Sequence, residues 1–113
     1  MGEPYTLLST VKLTEPVEHF CAVNYGDKLL YLVANGAMIS ILEVSADLSE
    51  MHCVSTIHAF QKPVLKLVYD SHRNRVIAAG LDQQIKFFEL FDEDETKQKC
   101  DLQLRLQYKI KMP

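Results

Sequence analysis

The sequence has no run of apolar residues that approaches the ~20 needed to cross a bilayer as a helix. Its first residues, MGEPYTLLS, lack the basic start and the long apolar centre of a secretory signal peptide. Both absences favour a soluble intracellular chain, or a piece of one. The 113 residues, 48% of them apolar, can build one small domain with a core of modest size.

Cysteines and histidines are few, and their spacing fits no known kind of site. Cys21, Cys53 and Cys100 are odd in number and far apart, which argues against a disulfide framework and favours buried free thiols. His52 is adjacent to Cys53, so the two side chains would point to opposite faces of a strand and could not share a metal ion. We therefore expect no metal site, and we expect surface or core positions for the histidines, His19, His52, His58 and His72.

The usual motifs of catalysis and phosphate binding are also missing. The four glycines lie in separate turns and form no phosphate-binding loop, and no G-x-S-x-G motif occurs. The Ser, His and Asp residues show no pattern that would pair a nucleophile with a base. We therefore expect no enzymatic activity, no cofactor and no small-molecule substrate.

The chain has no excess of basic charge. It carries 12 basic and 15 acidic residues, a net charge of −3, which argues against nucleic-acid binding by phosphate neutralisation over a large surface. A local exception is the end of the chain, where Arg105, Lys109 and Lys111 follow the last acid, Asp101. These three residues are candidates for an interaction patch, including direct RNA binding. The alternative is an edge strand that charge protects from unwanted pairing.

Residues 63–90 show what is present instead. Three short β-rich runs, PVLKLVYD, VIAAG and IKFFEL, are separated by the polar turns SHRNR and LDQQ. Asp82 lies in the second turn, six residues before Phe88, and Glu89 follows. This order is similar to the end of a WD repeat, where an aspartate in a tight turn precedes a strand that ends in Trp-Asp. An ordinary three-stranded meander is the alternative.

The same order of parts occurs earlier, in residues 16–44. Pro16-Val17 matches Pro63-Val64 at an offset of 47, and Leu42-Glu43 matches Phe88-Glu89 at an offset of 46. This period is close to the ~40–45 residues of a four-stranded propeller blade. At the offset of 46, Gly36 takes the place of the turn aspartate Asp82. We therefore predict an all-β chain of antiparallel four-stranded blades of a WD-repeat β-propeller, with about two blades present.

The remaining segments complete these blades. Residues 5–13 and 51–60 are predicted strands, and the strand over residues 29–34 is apolar throughout, as expected where both faces are covered. Residues 92–99, DEDETKQK, are either a solvated insertion or an acidic docking loop. Residues 102–110 alternate strictly between apolar and polar, which predicts a half-buried edge strand.

The predicted organisation therefore has three parts. Residues 1–15 are the outer strand of a preceding blade, 16–62 are the first WD-like repeat, and 63–113 are the second repeat with its acidic loop and edge strand. We expect structural roles in the turns and blade ends for Asp82, Phe88, Glu89, Leu42 and Glu43.

Two short motifs resemble a particular family of WD-repeat proteins. Pro16-Val17-Glu18 and the segment from Gly80 to Lys86, GLDQQIK, are similar to motifs in the central blades of the fifteenth U-three-snoRNA-associated protein family. That family belongs to the nucleolar small-subunit processome. Its second motif has a serine after the glycine, which this chain lacks, and the likeness covers residues 5–90 only.

The resemblance implies a non-catalytic scaffold in the nucleus and nucleolus that supports 18S rRNA maturation. Its partners would be other WD-repeat proteins of a ribonucleoprotein assembly, with indirect association to pre-rRNA and no membrane. The alternative is a general WD-repeat peptide-binding adaptor outside the nucleolus, in ubiquitin ligation or trafficking. Two blades leave apolar faces uncovered, so the sequence leaves open a fragment of a larger propeller, self-association, or repacking into a compact domain.

Overall fold

The computed structural model describes residues 11–13, 15–45, 47, 50–92 and 102–111. They form eight strands in two four-stranded antiparallel sheets, each in the order of the chain. The first sheet contains β1 (Val17–Tyr25), β2 (Lys28–Asn35), β3 (Met38–Val44) and β4 (Met51–His58). The second sheet contains β5 (Val64–Asp70), β6 (Arg75–Gly80), β7 (Gln84–Asp92) and β8 (Leu102–Lys111). Within the described residues, no helix is long and apolar enough to span a membrane.

The two sheets match the predicted fold class, which is all-β with antiparallel four-stranded units. Each sheet lies within one of the predicted repeats, 16–62 and 63–113, whose limits stay a prediction. The outer strand predicted over residues 5–13 lies mostly outside the described residues, and its last three residues form no strand. The acidic segment 92–99 also lies outside them, except for Asp92, which ends β7.

Two tight turns in the first sheet begin with glycine. Gly26 and Asp27 connect β1 to β2, and Gly36 and Ala37 connect β2 to β3. The φ angles of Gly26 and Gly36 are 64° and 62°, and the second residue of each turn has no positive φ. A positive φ at the first position alone is the feature of a type II′ turn, whose twist suits a β-hairpin. Glycine adopts this angle without the steric cost that a side chain would bring.

Equivalent hydrogen bonds show how the two repeats align. The Gly36 amide donates to the Pro16 carbonyl (3.1 Å), and the Leu81 amide donates to the Pro63 carbonyl (2.9 Å). Gly36 is therefore the structural counterpart of Leu81. Asp82 corresponds to the next residue, Ala37, and not to Gly36 as the sequence offset suggested.

The sheets bury a shared hydrophobic core between them. β1 and β2 pack against β5, whereas β4 and β8 approach each other less closely. Fully buried core residues include Leu30, Leu32, Ile39 and Ile41 from the first sheet and Leu67, Val76, Leu90 and Leu102 from the second.

Polar groups also join the two sheets. The Leu67 amide donates to His19 Nδ1 (3.1 Å), and Ser55 Oγ donates to the Leu102 carbonyl (2.8 Å). His19 is thus a structural histidine that accepts a backbone hydrogen bond. These hydrogen bonds link β1 to β5 and β4 to β8.

The connection between the sheets is closed by a tight cluster around Phe60, which is only 2% exposed. Lys86 Nζ lies 4.7 Å from the centre of the Phe60 ring and donates to the Ala59 carbonyl (2.6 Å). A Cβ atom on Gly80 would lie 2.6 Å from Phe60 Cδ1 and 2.9 Å from Asp82 Oδ1. The phenyl ring therefore occupies the space that a side chain at position 80 would need.

Replacing Gly80 by alanine is expected to lower the free energy of unfolding by about 1–3 kcal/mol, the usual cost of overpacking a core. Urea unfolding followed by circular dichroism measures this cost. In a Phe60→Leu background the cost should fall, because the smaller side chain leaves room for the methyl group. An equal cost in both backgrounds would show that the ring is not what Gly80 accommodates.

The strict alternation of β8 does not produce one buried face. A β-bulge lies where Phe87 pairs with Tyr108 and Phe88 pairs with Leu106, which leaves Gln107 as the extra residue. Leu102 and Leu104 are buried, but Leu106, Tyr108 and Ile110 are 45–47% exposed. The prediction of a single half-buried face is wrong for Tyr108 and Ile110, because the bulge places them on the side opposite Leu102 and Leu104.

Candidate protein-interaction face

The second sheet has an apolar face that points away from the first sheet. Its register places side chains of all four strands in adjacent rows on this side. The most exposed of them are Val68 (46%), Tyr108 (45%) and Ile110 (46%). We call it the outer face and define it by Val68, Ile77, Ala79, Ile85, Phe87, Tyr108 and Ile110.

The corresponding face of the first sheet is buried. Ile39 pairs with Ile57 there as Ile85 pairs with Ile110 on the outer face. Ile39 is 1% exposed because the second sheet covers it. The two repeats thus carry the same apolar face, covered by a neighbouring sheet in the first repeat and open in the second.

A cluster of two aromatic rings and one arginine lies at the border of the outer face. The Phe87 and Tyr108 rings stack with centroids 4.3 Å apart and an angle of 20° between their planes. The Arg75 guanidinium carbon lies 5.6 Å from the Phe87 centroid and 5.3 Å from that of Tyr108, and Arg75 Nη1 donates to Tyr108 Oη (2.9 Å). Aromatic and arginine side chains of this kind are enriched at protein interfaces.

Arg75 also carries an unsatisfied donor. Among the described residues, its Nε is the buried side-chain atom that has no hydrogen-bond partner. A buried polar group left unpaired costs about 1–3 kcal/mol.

Charged residues border the apolar rows on one side. Asp70, Arg75, Glu89 and Arg105 follow one another across the four strands with alternating charge. Arg105 Nη2 lies 3.0 Å from Glu89 Oε1, and the Arg105 guanidinium carbon lies 4.4 Å from the centre of the Phe91 ring. Arg105, a predicted interaction residue, is thus already paired within the sheet.

Asp70 has a partner outside this row. Arg73 Nη1 lies 3.0 Å from Asp70 Oδ2, and the His72 amide donates to Oδ1 (3.1 Å). The hydrogen bond from Arg73, followed by the one from His72, holds the pKa of the Asp70 carboxyl below its usual value.

The other two predicted interaction residues lie on the opposite side of the sheet. Past the bulge, Lys109 pairs with Lys86, and Lys111 pairs with Gln84. Both lysines line a groove next to the first sheet, far from the row that contains Arg105. The bulge therefore separates three basic residues that the sequence places close together.

The predicted turn and blade-end residues occupy matching places. Asp82 Oδ1 accepts the Gln84 amide (3.2 Å) in the turn before β7. Leu42 and Phe88 are 5% and 3% exposed and lie in the third strand of each sheet.

The blade-end glutamates lie next to these two buried residues in sequence and also have partners. Glu43 lies 3.9 Å from His52, and Glu89 pairs with Arg105. The structural role assigned to all five residues stays a prediction.

One of the cysteines predicted to be buried is exposed. Cys53 is exposed, so the expectation of a buried thiol is wrong there, and Cys100 lies outside the described residues. Burial raises the pKa of the half-buried Cys21 thiol. In the part of the chain that the structure describes, no group of three or more His, Cys, Asp or Glu side chains could hold a metal ion.

Comparisons with known proteins identify the fold. The chain is similar to the crystal structure of the β-propeller domain of Cps50 (Swd1) from Myceliophteria thermophila, with a TM-score of 0.61 and 16% sequence identity. The match covers 85% of this chain and 29% of that domain. No protein-family model and no curated protein matches the sequence. The two sheets therefore have the fold of two β-propeller blades, and this chain spans less than a third of the propeller domain that it resembles.

The sequence contained the signal for the outer face, although the predicted site residues did not include it. The apolar residues Ile39 and Ile85 occupy equivalent positions in the two repeats, as do Ile57 and Ile110. Among the described residues, a second sheet packs over Ile39 and Ile57, and none packs over Ile85 and Ile110.

Proposed function

We propose that this chain is part of a non-catalytic WD-repeat scaffold and that it binds a protein partner through the outer face. The observation that supports this is the repeated apolar face, buried in the first repeat and about half-exposed at three positions of the second. Exposed apolar patches with polar borders are typical of protein interaction sites.

The kind of partner follows from the contact between the two sheets. The covered face of the first sheet packs against another four-stranded antiparallel sheet. The outer face repeats its apolar rows, so we propose that it receives a sheet of the same type, such as a further propeller blade. Blades of this kind bury their faces on their neighbours.

The cellular role that we propose is assembly in nucleolar pre-rRNA processing. It is supported by the likeness of Pro16-Val17-Glu18 and of the segment from Gly80 to Lys86 to the processome family. The proposal places the chain in the nucleolus with WD-repeat partners, and it makes association with pre-rRNA indirect. A WD-repeat adaptor outside the nucleolus is the alternative, and it rests on the same outer face.

A photo-crosslinking residue at Tyr108 tests this proposal. In cells that express the chain, crosslinks from this position should identify proteins that contain propeller blades. Crosslinks from His72, which is exposed in a turn away from the outer face, provide the control. Nucleolar processome components among the Tyr108 products would support the pre-rRNA role, and trafficking or ubiquitin-ligation proteins would support the alternative. Equal products from both positions would contradict docking at the outer face.

Replacing Ile110 by lysine is expected to weaken partner binding at least about tenfold, because it places a charge in the apolar row. The matched control is Leu81→Lys, since Leu81 is 54% exposed in the turn between β6 and β7. Crosslinking yield from Tyr108 at increasing chain concentration measures the difference. If both lysine variants reduce the yield equally, general surface charge and not the outer face controls binding.

A further inference from the structure

A second candidate site lies on the inner side of the second sheet, away from the outer face. A groove of about 370 Å³ opens between the end of β4, the Asp82 turn and the end of β8. Its basic lining consists of Lys86, Lys109 and Lys111. One carboxylate, that of Asp82, lines the same groove, and its Oδ1 already accepts the Gln84 amide.

Lys86 is held in a fixed position in this groove. Its Nζ donates to the Ala59 carbonyl (2.6 Å) and lies 4.7 Å from the centre of the Phe60 ring. A lysine ammonium has three donors, so this one can still donate to a ligand. The ammonium group is therefore oriented before any ligand arrives, which reduces the entropy lost on binding.

The arrangement of the lysines is unfavourable for the sheet alone. Lys86 lies directly opposite Lys109 on the adjacent strand, and like charges in opposite positions are destabilising. Within the described residues, neither Lys109 nor Lys111 forms an ion pair that would relieve this repulsion. An anion between the lysines would relieve it.

The bulge at Gln107 brings these charges together. Before the bulge, Arg105 lies on the same side of the sheet as Glu89; after it, the odd-numbered Lys109 and Lys111 lie on the side of Lys86. Bulges that redirect side chains occur next to functional sites. Without the extra residue, both lysines would lie beside Arg105 and the groove would lose two of its three ammonium groups.

We propose that this groove binds the phosphate group of a phosphorylated side chain on a protein partner. Three ammonium groups can neutralise a phosphate dianion, and charge-assisted hydrogen bonds make such contacts strong. The groove is short and the whole chain has a net charge of −3, which favours binding of one phosphate over binding of an extended nucleic-acid backbone. This site is independent of the outer face.

Nuclear magnetic resonance titration of the full chain tests the site. The probes are a short peptide with one phosphoserine, its unphosphorylated form and inorganic phosphate. We expect the phosphopeptide to shift the amide signals of Lys86, Lys109 and Lys111. Inorganic phosphate should shift the same signals but bind more weakly. The unphosphorylated peptide should leave these signals unchanged.

Two variants separate this site from general attraction to positive charge. Lys109→Gln is expected to weaken phosphopeptide binding about tenfold, the size expected for one charge-assisted hydrogen bond. The control Lys66→Gln, at an exposed position of β5 on the outer side, should change it less than about twofold. Without phosphate, Lys109→Gln should not lower the melting temperature, because it removes the repulsion with Lys86.

Two results would overturn the proposal. Equal weakening by Lys109→Gln and Lys66→Gln would show that the groove has no particular role. A single-stranded RNA oligonucleotide that binds more tightly than the phosphopeptide and displaces it would assign the lysines to nucleic acid instead. The Ile110→Lys experiment tests the outer face, which is a different surface. Neither of these two results therefore affects the proposed scaffold function.

Discussion

The substitution Leu32→Asp is expected to unfold the chain, whereas Ile77→Asp is expected to leave it folded. Leu32 and Ile77 hold equivalent places in the second strand of each repeat, and both face the same way. Leu32 is fully buried under the second sheet. An unpaired carboxylate there costs several kcal/mol, which is comparable with the total stability of ~5–15 kcal/mol of a small domain.

The carboxylate of Ile77→Asp reaches water on the outer face. Its cost should stay near ~1 kcal/mol, the range of strand propensity in a host sheet. Circular dichroism and thermal unfolding of the two variants measure the difference. Similar loss of structure in both would mean that the outer face is covered within the chain itself, and equal tolerance would mean that the two sheets do not pack as described.

Replacing Phe60 by alanine is expected to lower the free energy of unfolding by about 3–5 kcal/mol. The ring is 2% exposed, fills the space above Gly80 and supports the Lys86 ammonium. Its removal leaves a cavity where the first repeat continues into the second. Because the neighbouring glycine has no side chain to fill that cavity, little relaxation can compensate for the loss.

The matched control is Phe20→Ala, since Phe20 is 61% exposed in β1. We expect a change within about 0.5–1 kcal/mol there, which includes its edge contact with Tyr31. Urea denaturation of both variants measures the two costs under identical conditions. If Phe20→Ala cost as much as Phe60→Ala, the cluster around Phe60 would not be the joint between the sheets.

The strands and their order could be predicted from the sequence because local signals agree. Strand propensity and the repeat of Pro16-Val17 at Pro63-Val64 indicate the same hairpins. The run over residues 29–34 was predicted to be covered on both faces, and Leu32 and Val33, on opposite faces, are 0% and 5% exposed. Each of these features depends on a few residues that are close in sequence and on the pairing of one strand with its neighbour.

The faces of β8 could not be predicted in the same way. Its strict alternation indicates one apolar side, yet the bulge at Gln107 moves Tyr108 and Ile110 to the outer face. A bulge depends on how β7 and β8 pair, and β7 is separated from β8 by residues 93–101. The separation of Arg105 from Lys109 has the same cause.

The candidate site combines features that only the arrangement of the sheets reveals. The sequence shows that Ile85 and Ile110 are apolar, but it does not show that no second sheet among the described residues packs over them. The first repeat supplies that information, because the equivalent residues Ile39 and Ile57 lie against the second sheet. The candidate interaction face is therefore the place where two otherwise similar repeats differ in burial.

The equivalent apolar face is covered in the first repeat and open in the second. Measuring the solvent exposure of the Ile39 and Ile110 methyl groups tests this difference most directly. Methyl resonances can be followed while a soluble paramagnetic agent is added to the isolated chain. We expect Ile39 to stay protected and Ile110, which is 46% exposed, to broaden strongly. Equal protection of both residues would show that the outer face is already covered, and equal broadening would show that the two sheets do not form a shared core.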